Sequence, residues 1–149
     1  MSLALVLAAL AALFAMVSLG GGLYEVSVLD PVWPTNPSLI RPAVGGVSRR
    51  RFWMPAHAAF ELTLLATLVA AWGHADSRTW LLVALASHVG MRIWSAFDFI
   101  PKAIAFERPE TAAGPAAERW VARSRLRLPL DLVTCGALLA ALVLLARAT

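Results

Sequence analysis

The stretch His88–Lys102, HVGMRIWSAFDFIPK, is apolar enough to lie in a bilayer, yet it carries His88, Arg92, Ser95, Asp98 and Lys102. At about 100° per residue these five side chains fall within roughly 120° of arc on one side of a helix. A charged side chain at the centre of a lipid-facing helix costs about 2.5–3.5 kcal/mol on insertion scales, so such groups turn toward protein or a water-filled cavity. The stripe therefore needs a shell of other helices. The remainder of the chain is read as that shell.

Composition supports it. The chain is 60% hydrophobic, with a mean hydropathy of +0.72, and only 15% of its residues are charged, below the quarter or so usual for soluble domains. The 149 residues make one domain, spanning 1–149. The net charge of +4 comes from arginines that flank apolar segments, the pattern of orienting charges rather than of a nucleic-acid surface. Nucleic acid is not expected as a partner; the lipid bilayer is. A single cysteine, Cys135, forms no disulfide within the chain and reads as a small core residue.

Four apolar segments predict an all-α integral membrane protein, an antiparallel four-helix bundle with helices at about 3–28, 52–72, 79–106 and 116–146. The first has no Lys or Arg ahead of its apolar run and reads as a retained membrane helix rather than a secretory signal. Ser18, Gly21 and Gly22 offer close approach to a neighbour. The second should carry Pro55 in its first turn, where the missing N–H costs little. Pro101 should kink or stop the third. The loop 29–51 is rich in Pro and Gly, and Trp33 suggests that it rests on the membrane surface, either covering a cavity mouth or merely connecting. Lys and Arg crowd the first and third loops, from Arg41 to Arg51 and from Lys102 to Arg127, with only Arg78 and Arg147 opposite. The expected location is the inner membrane, multi-pass, with both termini outside the cytoplasm.

Depth then sorts the polar groups. At 1.5 Å per residue Arg92 lies about 15 Å below Lys102, and His88 about 6 Å deeper. Glu61 lies about 15 Å in from Arg51, and Asp131 about 6 Å in from Arg127. Tyr24 and Glu25 close the first helix at the same side. All four helices thus bring ionisable groups to one half of the bundle. His57 and Glu61, spaced i, i+4, share a helix face and form a candidate proton-transfer pair. Arg92 is placed to stabilise a developing enolate or phenolate, with His88 as a further hydrogen-bonding group. Trp53 and Trp94 are candidate cavity aromatics, and Glu25, Tyr24, Asp98 and Asp131 candidate wall residues. A di-metal centre would want Glu-x-x-His, which is absent, and Arg92 opposes a cation beside His88, so neither a metal nor another cofactor is assigned, although His57, Glu61, His88 and Glu25 could form a ligand set. The bland alternative makes Glu61–Arg92, Asp98–Lys102 and Arg127–Asp131 ion pairs that fix helix register in a non-catalytic ligand-binding or partner subunit. A transporter of four helices without a repeat would call for a homo-oligomer.

The stretches GGGLYEVSVLDPVW (20–33), RFWMPAHAAFELTLL (51–65), HVGMRIWSAFDFIPKAIAFE (88–107) and RLRLPLDL (125–132) resemble small bacterial four-helix membrane proteins of the anthrone oxygenase-like family. The resemblance implies oxidation by O₂ of a lipophilic, polycyclic aromatic molecule taken from the bilayer and deprotonated by a base, without a conventional organic cofactor. No residue roles are carried over from it.

Overall fold

A computed structural model describes residues 2–111 and 114–148. The chain is 83% helix, and no strand occurs among the described residues. Helix α1 (Leu3–Tyr24) runs on through a π turn at Glu25–Leu29. Helix α2 spans Arg50–Ala70. Helix α3 (Ala75–Trp94) continues through a second π turn, Ser95–Phe99, into α4 (Ile100–Phe106). Helix α5 (Gly114–Ser124) passes through a 3₁₀ turn at Arg125–Arg127 into α6 (Leu128–Arg147). The four continuous rods, Leu3–Leu29, Arg50–Ala70, Ala75–Phe106 and Gly114–Arg147, are each long and apolar enough to cross a membrane. In the bundle α1 packs against α2 and α6, and α3 packs against α6 and, less extensively, α2.

Small side chains make that packing close. Ala4, Ala8, Ala11, Ala12 and Ala15 are buried along α1. They meet Phe60 and Leu64 of α2 and Leu138, Ala141 and Leu145 of α6 in one core. Gly21 is where the Phe52 ring seats: a Cβ there would lie 2.2 Å from it. The Ser87 hydroxyl donates to the Leu130 carbonyl at 2.9 Å, a polar tie between α3 and α6. The outer surface is apolar, with Leu62, Val69 and Phe97 among its most exposed side chains, which suits contact with lipid.

The helix boundaries move for physical reasons. Helix α2 begins two residues before the expected start, so Pro55 stands inside it rather than in its first turn. Helix α3 begins four residues before the expected start and takes in the polar ADSR segment, with Asp76 in its first turn where a carboxylate complements the helix dipole. Pro101 neither stops nor ends the third rod. It sits in the first turn of α4, directly after the π turn, whose wider i→i+5 bonding absorbs the missing N–H.

The loop after α1 differs most from expectation. Trp33 is not an interfacial anchor: it is fully buried in a second core with Ile40, Phe99, Phe106, Ala117, Trp120 and Val121. Its ring lies 5.3 Å from Phe106 and 5.8 Å from Trp120, and its indole N–H donates to Asp30 at 3.0 Å. Arg41 donates to the Phe106 carbonyl at 3.3 Å and the Thr111 carbonyl at 2.8 Å. The Arg49 guanidinium lies against both Trp33 and Trp120, 5.8 and 5.3 Å from the ring centres. The loop is thus docked on α4 and α5 as a fixed part of the fold.

Trp33→Ala is expected to lower the unfolding free energy in detergent by about 3–5 kcal/mol, read from denaturant titration by circular dichroism. Asp30 yields a pH effect. It is 2% exposed, and burial raises its carboxyl pKa above the ordinary 3.8 despite the Trp33 hydrogen bond. The folded state then holds this proton at pH values where the unfolded chain has lost it, so the residue's contribution falls as pH rises from about 4 through the raised value. Asp30→Asn, which keeps the acceptor for Trp33, should remove that fall from the stability–pH curve.

Candidate functional site

A cavity of about 480 Å³ opens between the rods at the end where the second core lies. All four rods line it. The first contributes Gly22, Glu25 and Val26, with Asp30 directly after its end, and the second Trp53, Met54, His57, Ala58 and Glu61, with Arg49 and Arg50 at its head. The third contributes Met91, Arg92, Ser95, Phe99, Ile100, Ala103 and Ile104, with Glu107 directly after its end, and the fourth Trp120, Ser124, Arg127, Leu128 and Asp131.

The π turns decide which side chains look inward. In an α-helix residues i and i+5 point about 140° apart, whereas an i→i+5 bond brings them into line. The Asp30 N–H donates to the Glu25 carbonyl at 2.8 Å, and both carboxylates line the cavity. Ser95 and Ile100 repeat the pattern on the third rod. The same turn rotates the C-terminal part of that rod by about one residue, or 100°. Asp98 and Lys102 therefore leave the stripe. Asp98 pairs with Lys102 and, at 2.8 Å, with Arg123 in a separate surface depression.

His57, Glu61 and Arg92 lie in the cavity wall, and His88 is buried behind them. Glu61 is shared: its Oε1 lies 3.1 Å from His88 Nε2 and 3.0 Å from Arg92 Nε. His88 is 4% exposed and meets the Phe60 ring edge-on at 4.7 Å. His57 stacks on Trp53 at 5.2 Å and 21°, and its ring centre is 5.8 Å from that of His88. Its Nδ1 is buried without a hydrogen-bond partner. Trp53 is itself fixed by donating to Glu25 at 2.8 Å. A ring nitrogen of His57, a carboxylate oxygen of Glu61 and a ring nitrogen of His88 all lie within 4.8 Å of one another. Arg92 uses Nε on Glu61; its terminal nitrogens make no hydrogen bond among the described residues and stay available to the cavity it lines.

Of the residues singled out from sequence, His57, Glu61, His88 and Arg92 come together, with Trp53, Glu25 and Asp131 on the same cavity wall. Tyr24 does not join them: it is 61% exposed on the outside of α1. Trp94 packs on Phe99 at 5.1 Å, away from the lining, and Asp98 faces outward. Two of the three expected ion pairs form. The third does not: Arg127 donates to Ser95 Oγ and the Ser124 carbonyl, both at 3.2 Å, and lies over the Phe99 ring at 4.5 Å, while Asp131 makes no ion pair among the described residues. Asp30 and Arg49 line the cavity without having stood out in the sequence. Asp30 enters through the π turn and Arg49 through the docked loop, neither of which leaves a mark in a 3.6-residue period.

No known protein family matches the chain, and no match to it was found among curated proteins or solved structures.

The arrangement predicts graded histidine reactivity. With diethyl pyrocarbonate, exposed His74 should react fast and His88 slowly, and Glu61→Ala should speed modification of His88 while leaving His74 unchanged, as read by peptide mass spectrometry.

Proposed function

We propose that the chain is a multi-pass inner-membrane enzyme whose cavity takes a lipophilic substrate from the bilayer and whose His57–Glu61–His88–Arg92 cluster handles its protons. The rods cross the bilayer in alternating directions, with the arginine-rich first and third loops on the cytoplasmic side. The carrying observation is the convergence of all four rods on one cavity, with a bare His57 nitrogen and, in its wall, a Glu61 carboxylate hydrogen-bonded to His88 and ion-paired with Arg92. A volume of about 480 Å³ lies in the range of small-molecule sites.

In this reading His57, oriented by its stack on Trp53, accepts a proton from an acidic O–H or C–H of the substrate. The electron pair stays behind as a phenolate or enolate, facing the terminal nitrogens of Arg92. Glu61, bonded to His88 and Arg92, fixes both and offsets the arginine's charge. The resemblance to the anthrone oxygenase-like family favours an aromatic substrate and oxidation as the onward reaction, with O₂ as oxidant.

Ala103 lines the cavity from α4, and Ala103→Trp should fill it. Organic extracts of the purified variant should lose a lipophilic compound that copurifies with the unaltered protein. Comparative product profiling of expressing cells should show turnover reduced about 10²–10⁴-fold by His57→Ala and by Glu61→Gln in protein that remains folded. If both variants unfold in detergent while the cavity variant keeps its copurifying compound, the cluster is a register-fixing ion-pair network and the enzymatic reading fails.

A further inference from the structure

We infer that His57, Glu61 and His88 form a binding site for a first-row divalent transition metal, with one or more coordination positions open to the cavity. The ligand types are those such ions take from protein: two imidazoles and one carboxylate. Three protein ligands with an open position describe a reactive site, whereas structural sites of this kind are closed by four.

One edge of the donor triangle has the spacing of a loaded site, and the third donor lies within reach of it. Ligands held about 2.1 Å from one ion are separated by about 3.0 Å at right angles and about 3.4 Å in a tetrahedron. His88 Nε2 and Glu61 Oε1 already stand 3.1 Å apart. All three donor atoms lie within 4.8 Å. His57 and Glu61 are i, i+4 on α2, so they face the same way by backbone geometry, and His88 reaches them from α3. One ring nitrogen of His57 is buried and unsatisfied, an arrangement that costs free energy unless a partner arrives.

In the sequence Arg92 opposes a cation, one turn from His88. The structure changes its meaning. Its Nε is bound to Glu61, so it acts on the carboxylate as an outer partner that holds the ligand in place. Trp53 fixes the His57 ring in the same manner by stacking. An ion of charge +2 added to this set leaves an excess of positive charge, which an anionic oxygen of the cavity's occupant is suited to neutralise. A metal here supplies Lewis acidity to that oxygen. This use of the open position rests on the cavity being a substrate site; metal binding itself does not. The lone pairs that accept a proton are also those that ligate an ion, so metal loading decides which chemistry the cluster performs.

The test is direct. Protein purified in detergent, stripped with chelator and checked by circular dichroism and size exclusion, is titrated calorimetrically with Zn²⁺ and, anaerobically, with Fe²⁺, and metal content after desalting is measured by inductively coupled plasma mass spectrometry. The expected result is one equivalent per chain, lost in His88→Ala and Glu61→Gln and retained in His74→Ala, which removes the exposed histidine. Absence of saturable binding by the folded, unaltered chain overturns the site, as does binding that survives His88→Ala and Glu61→Gln but is lost in His74→Ala. Should the two ligand variants unfold, the stoichiometry of the unaltered chain and of His74→Ala decides alone. Ala103→Trp separates this inference from the enzyme reading: a copurifying compound that disappears in that variant, without any bound metal, removes only the metal site; one equivalent of metal with no cavity ligand removes only the substrate site.

Discussion

A carboxylate on the wall of a cavity within an apolar bundle needs polar partners, and Glu61 finds them in a guanidinium and an imidazole on the neighbouring helix. These contacts cross from α2 to α3, which pack less extensively than the other neighbouring rods. These two helices are therefore joined at cavity depth mainly by polar groups, while the alanine-lined face of α1 and its neighbours supplies the close apolar packing. Glu61 and Arg92 both line the cavity where the two helices are paired by charge.

The other organising element is a pair of π turns, Glu25–Leu29 and Ser95–Phe99, at the same end of the bundle. Each inserts a wider turn and re-aims the residues C-terminal to it. On the third rod the carbonyl of Phe99, the last residue of the turn, accepts the Trp120 indole N–H at 3.1 Å, which fixes α5 against the end of the cavity. On the first rod the turn delivers Asp30 to Trp33, and through Trp33 the whole first loop is anchored. Arg49, pressed between Trp33 and Trp120, then lines the cavity from the head of α2. The loop is thus built into the site's architecture, with its aromatic core buried against α4 and α5.

Much of the bundle was legible in the residues. Four apolar runs of membrane-crossing length marked out the rods to within a few residues, because hydrophobic length is a one-dimensional property. The convergence of His57, Glu61, His88 and Arg92 followed from counting 1.5 Å per residue along unbroken helices, which holds for 88–94 and for 57–61. The Asp98–Lys102 pair formed as expected, but the 100° stripe that put both residues on the cavity side failed, because the helix ceases to be α at Ser95. The counting failed at Tyr24 and Trp94 for another reason: the right depth says nothing about which way a side chain faces.

The sequence by itself determined the helical class, the number of apolar rods and the depth of the deep polar residues, since each depends only on composition and on distance along a regular helix. The tertiary structure decided the rest. It set the sharing of Glu61 between Arg92 and His88, the approach of His57 to both, the burial of Trp33 and the outward turn of Asp98. These depend on rotation about helix axes and on contacts between distant segments, and a single departure from 3.6 residues per turn changes them without changing any local residue pattern.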